Sequence, residues 1–294
     1  MFIVYHASCI LDRSIQMKGK LYVVSTPIGN LEDISLRAIR ILNEVDLIAC
    51  EDTRNTRKLL SHFQIKKPLT SYHEHNEKEK AEDLLRQLEA GKNIALVSDA
   101  GTPGISDPGF RLVKIASENG IYAISVPGPS AALAALSISG LPTSSFTFFG
   151  FLPKTKKKKE QFLNEVRDLE QTLIFYESSR RIIDTLASII EIFGDREISV
   201  SRELTKMFEE TIMGRISDVI EKLRDKKELK GEFTFVIEGN RDRQREFSIE
   251  KLQRDIRSHK DRGLSLKNTV EELAIKSKLP KNQLYREALK IWNK

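Results

Sequence analysis

Residues 94–109 read Ile-Ala-Leu-Val-Ser-Asp-Ala-Gly-Thr-Pro-Gly-Ile-Ser-Asp-Pro-Gly, and this stretch decides the fold. Ile94–Val97 is continuously apolar, without the polar alternation of a half-exposed strand, as expected of a strand buried on both faces. The loop Ser98–Gly109 that follows holds three glycines and two prolines. Its glycines let the backbone approach a ligand closely or take positive φ. Asp107 is placed to cap a following helix, with Pro108 as its first residue.

The same unit recurs on either side. Leu21–Val24 runs into Ser25-Thr26-Pro27-Ile28-Gly29-Asn30, and a helical period follows with Leu31, Ile34, Ala38, Ile41 and Leu42 on one face. Val45–Cys50 ends in Glu51-Asp52-Thr53-Arg54. Ile121–Val126 ends in Pro127-Gly128-Pro129-Ser130-Ala131, where Ser130 would cap an Ala-rich helix. Buried apolar runs alternating with helices predict an α/β fold with a parallel sheet covered on both faces. Ligands of such sheets bind at the carboxyl ends of the strands, where these loops lie. None of the loops is a dinucleotide-binding GxGxxG, and none carries the lysine of a phosphate-binding P-loop. A nucleoside ligand held by backbone groups fits them better than a nucleoside triphosphate.

Further along, Gly140–Pro153 reads as a connector between domains. A second α/β set follows, with strands at Thr172–Tyr176, Glu197–Ser201 and Phe233–Glu238 and a helix over Ser179–Phe193 ended by Gly194. The last 54 residues contain no good strand; Leu266–Ser277 and Asn282–Trp292 read as amphipathic helices joined at Leu279-Pro280-Lys281, like a small helix-turn-helix. Residues 1–17 read as a disordered extension, with Met17 as the natural start. The expected organisation is thus an N-terminal α/β domain over 18–140, a C-terminal α/β domain over 141–240 and a basic helical tail over 241–294.

Composition bounds the function. The 294 residues are 40% hydrophobic, enough for a sizeable core, and 31% charged with both signs mixed. No stretch approaches the ~18–20 uncharged apolar residues of a membrane span. Two cysteines, Cys9 and Cys50, make neither a disulfide framework nor a cysteine metal cluster. A reduced, cytoplasmic protein is expected. The net charge of +6 is uneven: residues from Arg241 onward carry 15 Lys and Arg against 8 Asp and Glu, whereas the first 240 carry 33 against 34. Such a tail suits either a polyanionic partner, nucleic acid above all, or a solvated helix face. The run Lys156–Lys159 likewise reads as a solvated helix start or a phosphate contact.

Polar clusters adjoin the loops. Tyr72-His73-Glu74-His75-Asn76 offers two imidazoles two residues apart, but no third ligand has suitable spacing, so no metal is expected. Glu177-Ser178-Ser179-Arg180-Arg181 and Arg202-Glu203-Leu204-Thr205-Lys206 follow strands of the second set. Each is compatible with a structural ion pair, and together they would line a cleft between the domains.

The segments LYVVSTPIGNLEDIS (21–35), IACEDTR (48–54), SYHEHNE (71–77), VSDAGTPGISDPG (97–109), VPGPSA (126–131), FYESSRR (175–181), RELTK (202–206) and KGEFTFVIEG (230–239) occur together and in order. This set resembles the tetrapyrrole methylase-like (class III) methyltransferases, and among them the 16S ribosomal RNA (cytidine 2′-O-ribose) methyltransferases. The likeness runs from about Lys20 to Gly239. It implies two domains with S-adenosylmethionine (SAM) in the cleft between them, a homodimer, and as partner the 16S rRNA of the small ribosomal subunit. By motif position the cofactor would meet Gly101, Thr102, Gly104, Ile105, Ser130 and Ala131 from the first domain. The second domain would add Tyr176, Leu204, Gly231, Glu232 and Phe233. The Gly/Pro loop stands where related porphyrin methylases have Gly-Asp-Pro. Methyl transfer to a ribose hydroxyl asks for in-line alignment and gains from a base or oriented acceptor. Glu51, Asp52, His73, Glu74 and Glu203 are the unranked catalytic candidates. Arg54 and Lys206 would anchor phosphate or hydroxyl groups, Asn30 and Asn76 would fix the nucleoside, and Arg180 belongs to the same substrate-binding set. Two other readings stay open: methylation of a tetrapyrrole or other small molecule, and a non-catalytic RNA-binding protein on the same fold.

Overall fold

The computed structural model describes residues 18–226, 228–240, 252–277 and 281–292. The extension expected over residues 1–17 lies outside them. Five short strands, β1 (Leu21–Val24), β2 (Leu47–Cys50), β3 (Leu69–Ser71), β4 (Ile94–Val97) and β5 (Ala123–Val126), form one parallel sheet in the order β3-β2-β4-β1-β5. Every residue of β2 and β4 is buried, which is why both read as unbroken apolar runs. Alternate residues serve opposite layers. Ile48, Cys50, Ala95 and Val97 pack with Ala38, Ile41 and Leu42 of helix α1 (Leu36–Glu44) and Leu60 of α2 (Thr53–His62). Leu47, Ala49, Ile94 and Leu96 pack on the other face, with Leu84 and Leu88 of α3 (Glu77–Glu89) and Leu112 and Ala116 of α4 (Phe110–Glu118).

Two helix starts in the first unit differ from the sequence reading. Leu31 is exposed in a separate 3-10 turn, Leu31–Asp33, and α1 begins only after Ser35, whose hydroxyl accepts the Ala38 N–H at 3.1 Å. Asp107 does not cap α4. Gly104 and Ser106 take positive φ (82° and 64°), so the chain makes a further turn, the helix starts at Phe110 after Gly109, and Asp107 faces inward, where it meets the Ser98 hydroxyl.

The second sheet follows the order β6-β7-β10-β8-β9. Its members are β6 (Phe146–Phe151), β7 (Thr172–Ser178), β8 (Glu197–Arg202), β9 (Glu210–Arg215) and β10 (Glu232–Ile237), with only β6 and β7 parallel. Gly140–Pro153 is therefore more than a connector, because it contains the edge strand β6. One face of this sheet is covered by α6 (Lys156–Val166), α7 (Ile182–Phe193) and α8 (Ile216–Arg224) around Phe175, Phe233 and Phe235. The opposite face, with Ile174 and Val236, receives Ala132, Ala135 and Leu136 of α5 (Ala131–Ile138). Helix α5 is continuous with the last strand of the first sheet yet packs on the second, and so joins the two units. The basic run in α6 is not uniformly solvated: Lys159 is buried, its ammonium donating to the Asp184 carbonyl at 3.3 Å.

The tail has its own small core. A helix over residues 252–261 (α9), α10 (Leu266–Ser277) and α11 (Lys281–Trp292) enclose Leu252, Ile256, Val270, Leu273, Leu284 and Ala288. The expected joint at Leu279–Pro280 lies outside the described residues. No described helix is long and apolar enough to cross a membrane.

Candidate active site

The loops after β1, β4 and β5 emerge from three adjacent parallel strands, so their ends meet. Thr26 and Gly101 exchange backbone hydrogen bonds at 2.9 and 3.0 Å. The Ser25 and Thr102 hydroxyls lie 2.8 Å apart, and Thr102 also donates to the Pro129 carbonyl at 3.4 Å. The resulting floor is built of small residues and backbone. At its centre Gly101 takes φ +82°, a left-handed conformation that a side chain would strain.

The second sheet closes over this floor at the Arg202–Lys206 turn. Gly29 is where the two walls touch: a Cβ there would lie 2.4 Å from Lys206 Cγ and 3.1 Å from the Leu204 carbonyl, so only glycine lets them meet. Tyr176 adds a polar tie, its hydroxyl accepting the Ala132 N–H of α5 at 3.2 Å. Among the described residues, positive φ outside glycine occurs at Gln64, Ser106, Glu203 and Thr205, and the last three lie on the loops facing this closure.

Between the walls lies a cleft of about 270 Å³. Of the residues expected to hold a cofactor, Gly101, Thr102, Ile105, Ser130, Ala131, Tyr176, Leu204, Glu232 and Phe233 line it. Gly104 lies in an adjoining cavity, and Gly231 supports the wall from behind, where a Cβ would run into the Glu203 carboxylate at 2.5 Å. Ser130 occupies the start of α5 as expected, but its side chain makes no capping bond and stays available to the cleft.

The five carboxylate and imidazole candidates are separated by environment. Glu203 accepts from the Lys206 ammonium at 2.9 Å and from the Glu232 N–H at 3.0 Å, and Lys206 also reaches Glu232 at 2.9 Å. Burial pushes Glu203 up, but these donors outweigh it and hold the carboxylate below its ordinary value. Asp52 caps α2, accepting the Arg54 N–H at 2.8 Å, and is gripped by the Arg54 guanidinium, which lowers it to about 2. Both are poor proton acceptors at neutral pH. Glu51 differs: burial, and next the nearby Asp99 carboxylate, push it up. His73 lies close enough to act on Glu51, and its Nδ1 is buried with no hydrogen-bond partner. Glu74 is exposed at the adjoining cavity.

The expected substrate anchors divide similarly. Lys206 lines the cleft. Asn30 spends its side-chain oxygen on the Glu32 N–H at 3.0 Å. Asn76 is bound to its own loop, accepting from the His73 N–H at 2.8 Å and donating to the Ser71 carbonyl at 3.2 Å. Arg54 is committed to Asp52. Arg180 is exposed outside the cleft, and it is Arg181 that binds the buried Glu177 at 2.7 and 2.9 Å. Sequence reasoning missed Asp99 and Asp107, both of which line the cleft. Asp107 is the more perturbed. Burial, and next the Glu51 carboxylate, raise it to about 6. The signal was its place in a Gly/Pro loop after a buried strand, masked by the Asp-Pro pattern of a helix cap. Among the described residues no group of three or more His, Cys, Asp and Glu could hold a metal ion.

Comparison with known proteins agrees with this geometry. Residues 20–220 match the family described as Tetrapyrrole (Corrin/Porphyrin) Methylases. The chain is 46% identical over 272 residues to the Ribosomal RNA small subunit methyltransferase I of Halalkalibacterium halodurans, covering 91% of this chain and 94% of that protein. It is 42% identical to the protein of the same name from Bacillus subtilis, covering 94% and 98%. Among solved structures, uroporphyrin-III C-methyl transferase from Thermus thermophilus complexed with S-adenyl homocysteine superposes with a TM-score of 0.52 at 19% identity, over 75% of this chain and 97% of that one, a likeness of fold. The chain belongs to the tetrapyrrole (corrin/porphyrin) methylase family, with the small-subunit ribosomal RNA methyltransferases I as its relatives.

Proposed function

We propose that the chain transfers the methyl group of SAM to the 2′-oxygen of a cytidine ribose in 16S rRNA, within the small ribosomal subunit. The observation that carries this reading is the cleft itself: an uncharged backbone floor with a carboxylate, Asp107, that burial and Glu51 raise to about 6 against a hydrogen bond from the Ser98 hydroxyl. The relatives' shared name and near full-length coverage support rRNA as the acceptor.

The residues present fit the cofactor. Ile28, Ile105, Leu204 and Phe233 offer apolar walls for a purine, the floor offers backbone groups, and Asp99, Asp107 and Glu232 suit a ligand carrying positive charge. When bound, SAM supplies a methyl group already activated by its sulfonium. The protein then has to align the ribose hydroxyl and take its proton. Asp107 is suited to this, because a base works best with a pKa near the working pH. Glu51 backs Asp107 by repelling its charged form, a positioning role. Lys206 ties Glu203 and Glu232 together within the second wall, at the point where its side chain meets Gly29 of the first.

The reading includes a cytoplasmic homodimer. Met207 and Phe208, 90% and 70% exposed beside Lys206, support a second copy covering that face. It also divides the chain at residues 18–140, 141–240 and 241–294, supported by the two sheets and the separate core of the tail.

The test uses purified protein, SAM with a labelled methyl, and small subunits from a strain lacking the endogenous enzyme. Label recovered in 2′-O-methylcytidine is the expected result. SAM binding without transfer to RNA would return the acceptor to a small molecule, and absence of SAM binding would overturn the enzyme reading.

A further inference from the structure

A second cavity, of about 590 Å³, adjoins the cleft and shares Ser106 and Asp107 with it. Its outer wall is the first turn of α4. The helix buries Leu112 and Ala116 against the sheet, so Phe110, Arg111 and Lys114 face away from the core. Phe110 is 72% exposed, a large aromatic ring left in water at the rim of a cavity that Glu74 and Glu77 also line. Positions three and four apart on a helix are surface neighbours, so Lys114 adjoins both Phe110 and Arg111, and the three form one patch. Among the described residues Lys114 is held only by an exposed contact to Glu118 at 3.9 Å, which ties it weakly.

An exposed aromatic flanked by two cations on the rim of a cavity suits a nucleotide drawn out of single-stranded RNA: the ring stacks the base and the outward-facing cations meet phosphates, away from Glu74 and Glu77. We infer that this cavity is the acceptor-nucleotide subsite, with Phe110 as the stacking platform and Arg111 and Lys114 as phosphate anchors. The inference rests on the proposed rRNA acceptor. A nucleotide seated here has its ribose beside Asp107, at the junction with the cofactor cleft. The base is unstacked from its RNA neighbours and restacked on Phe110, so that the ribose rather than the base reaches the shared wall.

The experiment measures methyl transfer to small subunits by the full chain and by Phe110→Ala, Phe110→Tyr and the double variant Arg111→Glu with Lys114→Glu. SAM affinity by calorimetry and sedimentation are recorded for each. In Phe110→Ala, the KM for subunits is expected to rise about tenfold or more, in line with base–aromatic stacking. SAM affinity and sedimentation should match those of the parent chain, and Phe110→Tyr should restore KM to within about threefold. The double variant should lower the slope of log affinity against log salt by about 2, one per lost phosphate contact. An unchanged KM in Phe110→Ala would overturn the subsite. So would a KM change that comes with a smaller sedimenting species, which would make this face an interface between copies. Failure of the parent chain to methylate subunits would instead strike the proposed function, and is read separately in the same assay.

Discussion

The two walls of the cleft carry similar numbers of carboxylates and treat them oppositely. On the second-sheet wall, Glu203 and Glu232 share the Lys206 ammonium at 2.9 Å each, and Glu203 sits below its ordinary pKa. On the first-sheet side, Asp107 and Asp99 line the cleft with Glu51 nearby, and burial with repulsion among them raises Asp107 and Glu51. A carboxylate whose donors outweigh its burial stabilises the fold, whereas one whose burial outweighs its donors costs stability and accepts a proton near neutral pH. The contrast assigns chemistry to the first wall and closure to the second.

Exchanging the charge on each wall tests this division. Asp107→Asn is expected to lower kcat for methyl transfer by about 10²–10⁴-fold, the usual contribution of a positioned base. Its SAM affinity should stay within about threefold of the parent, by calorimetry. A loss below tenfold would move the base elsewhere on the first wall. The same variant has an opposite effect on stability. Because the folded pKa of Asp107, about 6, lies above its unfolded value, its protonated form is favoured in the folded state. Stability is therefore fully present below the unfolded value and declines as pH rises through about 6. Asp107→Asn should accordingly melt higher than the parent at pH 8, and the gain should vanish near pH 4; a lower melting temperature at pH 8 would contradict a raised Asp107.

The contact between the walls is the next target. Gly29→Ala places a Cβ against Lys206 Cγ and the Leu204 carbonyl, and overpacking of this kind costs about 1–3 kcal/mol. The melting temperature should fall and the KM for SAM should rise several-fold, since Ile28 and Leu204 line the cleft together. Glu203→Gln, on the second wall, should cost about 1–2 kcal/mol in chemical denaturation, the range for a lost hydrogen bond to a charged group reduced by partial exposure. Its kcat should remain within tenfold, and a larger fall would give Glu203 a chemical role. The smallest effect is expected from Asp52→Ala, which removes the cap of α2 and lowers the melting temperature slightly with no change in methyl transfer.

How much of this was legible in the sequence follows the same divide. The first sheet was readable because its strands are buried on both faces and so appear as apolar runs such as Ile94–Val97. Strand β6 (Phe146–Phe151) was read as a connector because Gly, Pro and Ser crowd it and its outer residues are exposed at a sheet edge. Strand β9 (Glu210–Arg215), the opposite edge, contains a glycine and no buried residue, so it offered no pattern. In the site, the Gly/Pro loops announced themselves by composition. The role of Asp107 did not. Its local sequence is that of a helix cap, and what raises its pKa is burial with Glu51, 56 positions away in the chain. Likewise Asn30, Asn76 and Arg54 have the chemistry of substrate anchors, but short-range bonds to Glu32, Ser71 and Asp52 occupy them.

The division of labour between the walls is tested most directly by the pH dependence of kcat/KM for methyl transfer to small subunits, in the parent chain and in Asp107→Asn. This parameter reports groups of the free enzyme. The expected profile rises through a midpoint near pH 6 and levels off above it, and the rise is lost in Asp107→Asn. A parent profile that is flat from pH 5 to 8, or a rise near 6 that persists without the Asp107 carboxylate, would contradict the assignment of the chemistry to the first wall.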